Sequence, residues 1–269
     1  MLAGLNRFLF FVLGLLCLSL VYAQESKVNE LIDVEVISDS LAVSPGAEIW
    51  VGLQISLSSD WHIYWKNSGE SGYPTTLIWE LPQGWYANPL QFPAPYLYEY
   101  EGLSGYALKD QFTLLCRLQV PAHLDGEVTI KGVLDALVCN ESSCLPYQHS
   151  FSLNFEYAKQ QKFRDENIEI LRKAKDHASF ITLDNNAVST TFSGSGGRLK
   201  IVNPEFSKLS PTSFSFFPET TSILPNPDSL SFLVGTHSLE IDWKLSEGEE
   251  IPVFVEGILT HPAMENPLK

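Results

Sequence analysis

EIWVGLQISLS, residues 48–58, alternates apolar and polar side chains, so Ile49, Val51, Leu53, Ile55 and Leu57 fall on one side of an extended chain. Successive side chains of a β-strand point to opposite faces, and this period of two therefore marks a strand with one buried face. FTLLCRLQV, residues 112–120, repeats the pattern: Phe112, Leu114, Cys116, Leu118 and Val120 line up opposite Arg117 and Gln119. In FSLNFEY, residues 151–157, Phe151, Leu153, Phe155 and Tyr157 oppose Ser152, Asn154 and Glu156. Turn formers such as Ser44-Pro45-Gly46 and Pro82-Gln83-Gly84 separate such runs. Several short alternating strands with this punctuation predict a mainly β chain built on a β-sandwich.

The period then changes. From Ala158 to about Ala178, Phe163, Asn167, Ile170, Leu171, Ala174 and Ala178 recur at helical spacing. Asp165 and Glu166 come early and Lys173 and Lys175 late, as a helix dipole favours. The pattern predicts one amphipathic linker helix over residues 158–179, between a sandwich domain at 24–157 and a second, smaller β-domain at 180–269. In the second domain Ser193-Gly194-Ser195-Gly196-Gly197 reads as a flexible loop. Strand patterns follow at Leu230, Phe232 and Val234, then Leu239, Ile241, Trp243 and Leu245, then Val253, Val255 and Gly257.

The N-terminus fixes the compartment in which the cysteines are read. Arg7, an apolar run over residues 8–20, and Val21 and Ala23 at the positions a signal peptidase reads make residues 1–23 a secretory signal peptide, cleaved after Ala23. The apolar run is too short for a comfortable membrane span, and no later segment is apolar for long enough. The mature chain is thus expected in the periplasm, not inserted in the membrane, where disulfides persist. With 32 acidic against 17 basic residues, charge argues against binding nucleic acid or an anionic membrane surface.

Cys116, Cys139 and Cys144 remain after processing, and an odd count leaves one thiol over. Cys116 shares its face with Leu114 and Leu118 and is expected to be buried and inert. GEVTIKGVLDALVC, residues 126–139, places Val128, Ile130, Leu134, Ala136 and Val138 on one face and Cys139 on the other, so Cys139 should emerge at a strand end. CNESSCLP, residues 139–146, follows. Fully extended, it would hold the two cysteines about 17 Å apart, whereas a disulfide needs Cα atoms roughly 4.4–6.8 Å apart. The chain must fold back to close the bond; Asn140, Ser142 and Ser143 are turn residues, and Pro146 restricts Leu145.

Three readings of the pair stand at this point. As a staple its short loop is worth only about 2 kcal/mol, against nearly 5 for a loop of about a hundred residues. As an exchange centre it needs a sulfur that a partner can reach. As a metal clip it would recruit His149, although zinc and copper sites prefer tighter and more numerous ligands. WHIYWKNSGESGYP, residues 61–74, reads as a strand through Trp61, His62, Ile63, Tyr64 and Trp65, then a turn-rich loop from Asn67 to Pro74. Its aromatics, with His62 among them, are assigned to packing and given no catalytic role.

Two longer stretches join these cysteines in one order. DWHIYWKNSGESGYPTTLIWELPQGW, residues 60–85, runs on through PLQFPAPYLYEYEGLSGYALKDQFTL to Leu114, and LDALVCNESSCLP ends at Pro146. Together, over roughly residues 30 to 157, they resemble the N-terminal periplasmic domain of the thiol:disulfide interchange protein DsbD, particularly its longer, ScsB-like branch. SFSFFPE and VFVEGILTH extend a weaker likeness into the second half.

The resemblance implies an immunoglobulin-like sandwich carrying a cysteine pair, here Cys139 and Cys144, that cycles between dithiol and disulfide without a metal or organic cofactor. It also implies a cap loop, matched by YLYEYEG, in which Tyr98 or Tyr100 covers the cysteines and Glu99 and Glu101 lie beside them. The implied partners are periplasmic thiol-disulfide proteins and an electron donor, membrane-bound or thioredoxin-like; neither donor domain is recognisable up to Lys269, so either another chain supplies it, or the sequence is a fragment of a longer one, or the domain has taken another job. A non-catalytic immunoglobulin-like adaptor with a fixed disulfide and a metal-handling protein are the alternatives. The spacing within the cysteine pair departs by a residue from that of the family.

Overall fold

In the computed structural model of the chain, stretch 48–58 lies at the heart of a sheet. The structure describes residues 28–269 except 124–125, 179, 181–182, 184–185, 194–195, 211–212, 220–229, 245–254 and 265–266. The expected signal peptide lies outside the described residues, as do Leu245, Val253 and the Gly194-Ser195 dipeptide.

In chain order the first half forms β1 (Ile32–Ser38), β2 (Ser40–Val43), β3 (Glu48–Leu57), β4 (His62–Gly69), β5 (Thr76–Glu80), β6 (Tyr86–Ala87), β7 (Tyr96–Tyr100), β8 (Leu103–Lys109), β9 (Gln111–Gln119), β10 (Val128–Cys139), β11 (Cys144–Tyr157) and β12 (Lys162–Phe163). One sheet runs β1-β3-β9-β6, and the facing sheet β12-β2-β11-β10-β4-β8-β7, with β5 also paired to β10. Their alternating apolar faces meet. Val51 lies opposite Cys116 and Leu53 opposite Leu114 in the first sheet, and these pack with Trp65, Ile130, Leu134 and Val138 from the second. This is the expected immunoglobulin-like sandwich. Leucine and isoleucine side chains so enclosed each contribute about 1.5–3 kcal/mol.

The outer face of the first sheet is covered too, which the period-two pattern does not show. Helix α1 (Asp165–Ala178) lays Leu171 and Ala174 on Ile37 and Leu115. Gly52 permits the approach: a Cβ there would stand 2.6 Å from Leu171 Cδ2. The helix is also shorter than its periodicity predicts. Residues 162–163 extend β2 as an edge strand, and Arg164 N donates to Asp39 O at 2.8 Å, so the helix begins only where Asp165 and Glu166 supply acidic groups for its first turn.

Beyond α1 lie β13 (Val188–Ser193), β14 (Gly196–Val202), β15 (Ser215–Pro218), β16 (Ser231–Val234), β17 (Ser238–Lys244) and β18 (Gly257–Thr260). Strands β13-β14-β17-β16 form an antiparallel sheet over a core that includes Leu199, Ile201, Leu239 and Ile241. Gly196 and Gly197, expected in a loop, belong to β14, opposite Ser193 and Phe192 on one side and Lys244 and Trp243 on the other. Of the final predicted strand, Val255 precedes β18, which starts at Gly257.

The small β15–β18 sheet joins the two halves. Phe217 and Ile258 belong to the sandwich core, and Phe216 and Leu259 to the second core. Phe217 meets Tyr106 edge to face at 5.5 Å between ring centroids. Asn67 Nδ2 donates to Pro218 O at 2.7 Å. Asn67 is therefore a buried residue of β4 and not part of a turn-rich loop, its amide satisfied by a carbonyl from the other half. Glu219 binds Lys66 Nζ at 2.6 Å and Lys269 Nζ at 3.1 Å.

Candidate functional site

The cysteine hairpin is built by its turn. Asn140 Oδ1 accepts from Ser142 N at 2.8 Å and Ser143 N at 2.9 Å, and Asn140 N donates to Ser143 O at 2.9 Å. This reverses the chain within the four residues between the cysteines, as Asn140, Ser142 and Ser143 foretold. Opposed pairs in an antiparallel ladder alternate between bonded and non-bonded positions, so Cys139 and Cys144, next to the bonded 140–143 pair, occupy a position where side chains are closest. Their Cα atoms are 4.1 Å apart and their sulfurs are joined.

The two sulfurs have unequal surroundings. Cys144 is exposed, while Cys139, expected to emerge at the strand end, is only 1% exposed. The reason is β4, which pairs with the end of β10 so that His62 lies directly opposite Cys139. His62 in turn lies opposite Lys109 of β8. Directly opposed residues share a face, so Cys144, Cys139, His62 and Lys109 form one row across four strands.

His62 is 2% exposed, and among the described residues its Nε2 has no hydrogen-bond partner. Its ring lies 4.2 Å from that of Tyr98 and 5.2 Å from that of Tyr64. Burial pushes the imidazole pKa down from 6.5 to about 4. It is therefore neutral at ordinary pH. Tyr64 is held by Gly72, whose φ is +91° and where a Cβ would fall 2.2 Å from the ring. An open cleft of about 750 Å³ runs past this group, lined by Asp60, Tyr96, Tyr98, Lys109, Asn140 and Glu141 among others.

The predicted cap is the β7–β8 hairpin, whose turn has left-handed φ at Glu101 (51°) and Gly102 (82°), as a tight two-residue hairpin requires. Tyr98 covers His62 and is half-buried; Tyr100 is 41% exposed. Strand alternation sends Glu99 to the opposite side of the ribbon, opposite Ser104. Glu101 acts first on Tyr100, raising its phenol pKa, with a smaller contribution from Glu141. Burial, then the fields of Tyr64 and Glu141, raises that of Tyr98. The acidic neighbour shared by both tyrosines thus comes from the cysteine hairpin itself.

His149 occupies the other face of β11 from Cys144, stacked between Tyr147 and Phe151. Among the described residues no three His, Cys, Asp or Glu side chains converge as a metal site would require. Cys116 is buried, its Sγ donating to Asn88 O at 3.2 Å, and burial pushes the thiol pKa up to about 11. His62, Lys109 and Gly72 are the site residues that sequence reasoning missed. The one available signal was the period of β4, which sets His62 and Tyr64 on a face opposite Ile63 and Trp65.

Residues 29–156 match the family model described as "Thiol:disulfide interchange protein DsbD, N-terminal". No curated protein matches the chain. Among solved structures, the N-terminal periplasmic domain of ScsB from Proteus mirabilis aligns with 89% of this chain and 92% of its own, at 13% identity and a TM-score of 0.66. At that identity the likeness is one of fold, and it spans both β-rich halves. The N-terminal domain of Neisseria meningitidis DsbD in the reduced form aligns over 51% of this chain and 93% of its own, at 8% identity and a TM-score of 0.29. Among the described residues no helix is long and apolar enough to cross a membrane.

Proposed function

We propose that the chain, whose residues 29–156 match the family model of DsbD N-terminal domains, is a periplasmic thiol-disulfide exchange module that passes reducing equivalents to partner proteins through Cys139 and Cys144. The observation that carries this reading is the asymmetric pair: a disulfide at a hairpin tip with one cysteine exposed and the other enclosed. Exchange requires a sulfur that a partner can reach, and Cys144 is that sulfur.

In the reduced state the Cys144 thiolate attacks a partner disulfide and expels one partner sulfur as thiolate, leaving a mixed disulfide. Cys139 then attacks Cys144 Sγ, the Cys139–Cys144 bond forms, and the second partner sulfur leaves. Two electrons and two protons pass to the partner. A membrane-bound or thioredoxin-like donor restores the dithiol. Tyr98, with Tyr100, Glu99 and Glu101 in the same hairpin, forms the cap that limits access to the pair.

A redox titration in glutathione buffers, followed by alkylation and mass spectrometry, tests the reading. A relay has a reversible midpoint between about −270 and −180 mV, whereas a pair that stays oxidised below about −300 mV is structural and the chain an adaptor. The order of attack is tested by trapping: Cys139→Ser should accumulate mixed disulfides through Cys144, and Cys144→Ser should not.

A further inference from the structure

A sulfur that alternates between disulfide and thiol must lose and regain a proton. Cys144 can use bulk water. Cys139 cannot, because β4 encloses it. The group directly opposite it in the ladder is an imidazole whose Nε2 is buried without a partner among the described residues, an arrangement that costs free energy in the oxidised state and leaves a ring nitrogen open on the residue across from Cys139.

We propose that His62 accepts the Cys139 proton when the cysteine pair closes, a role that rests on the exchange reading above. In that step the Cys139 S–H bond breaks and its proton goes to His62. The Cys139 Sγ–Cys144 Sγ bond forms as the bond from Cys144 to the partner breaks, and the partner sulfur leaves as thiolate. His62 then returns the proton to that thiolate or to water through the cleft. The titratable groups around it are Tyr64 on its own strand, Lys109 from β8, Tyr96 and Tyr98 from β7, Asp60 and Asp110 at the flanking turns, and Glu141 from the cysteine hairpin. Lys109 Nζ lies over the Tyr96 ring at 5.0 Å. Burial keeps this imidazole unprotonated above its own titration, so a ring nitrogen is available for the proton across the neutral range.

The test mixes the reduced chain, from residue 24 onward, with the aromatic disulfide 5,5′-dithiobis(2-nitrobenzoate). The first thionitrobenzoate released reports attack by Cys144, and the second reports closure by Cys139. With His62 as acceptor, the second-phase rate is flat between about pH 6 and 8. His62→Gln slows the second phase relative to the first by roughly a hundredfold near pH 6 and restores a rise of about tenfold per pH unit, the behaviour of closure through free thiolate. The proposal is overturned if the unsubstituted protein already shows that rise, a result independent of whether the variant folds. It is equally overturned if His62→Gln leaves the second phase unaltered. Absence of both phases in the unsubstituted protein overturns the exchange reading itself.

Discussion

His62 spends its burial on a titration. Its folded pKa, about 4, lies below the ordinary 6.5, so between these values the unfolded chain binds more protons than the folded one. Stability from this residue is full above pH 6.5 and is lost as pH falls towards 4. The urea midpoint should fall across that window in the unsubstituted protein, and fall less in His62→Phe. Tyr98 offers a second test at this scale. Its ring covers His62 at 4.2 Å, and Tyr98→Ala should speed alkylation of the reduced pair several-fold while Cys116 stays unreactive; an unchanged rate would remove Tyr98 from the cap. The burial of Cys116 was legible because its neighbours at i−2 and i+2 are leucines. The position of His62 was not, since it depends on β4 pairing with β10, a register between strands far apart in sequence.

At the scale of elements, the cysteine hairpin depends on one amide. Asn140→Ala removes two hydrogen bonds to the turn and should destabilise the reduced protein by about 1 kcal/mol. The effect should be smaller in the oxidised protein, where the disulfide already holds the strand ends; urea unfolding with and without reductant compares the two. Helix α1 is held by a different force. Leu171, 1% exposed against β3 and β9, should cost about 2–5 kcal/mol when replaced by alanine, measured by the same unfolding curves. The strands were readable because one buried face imposes a local period of two. The start of α1 was not, because residues 162–163 have helical spacing but are captured by the edge of β2. The second apolar face of β9, carried by Leu115, became intelligible only with the helix lying on it.

For the whole molecule the decisive contacts run between the halves. Asn67→Ala leaves the Pro218 carbonyl without its donor and should cost about 1–3 kcal/mol, read as a lower urea midpoint for the single chain. Asn67 could be taken for a turn residue from its Ser and Gly neighbours, and nothing local announces a partner so distant in sequence. Phe217 and Ile258 extend the same point, since they complete a core whose other members come from the first half. The family match ends at residue 156, yet the hydrophobic interior does not end there. A gene cut at that boundary would sever a core rather than release a domain: the excised fragment would open Tyr106 and its surroundings to water and reveal itself by dye binding and self-association. The matched stretch and the foldable unit thus have different borders along this chain, and any attempt to transplant its cysteine hairpin must carry the distant β15–β18 ribbon with it.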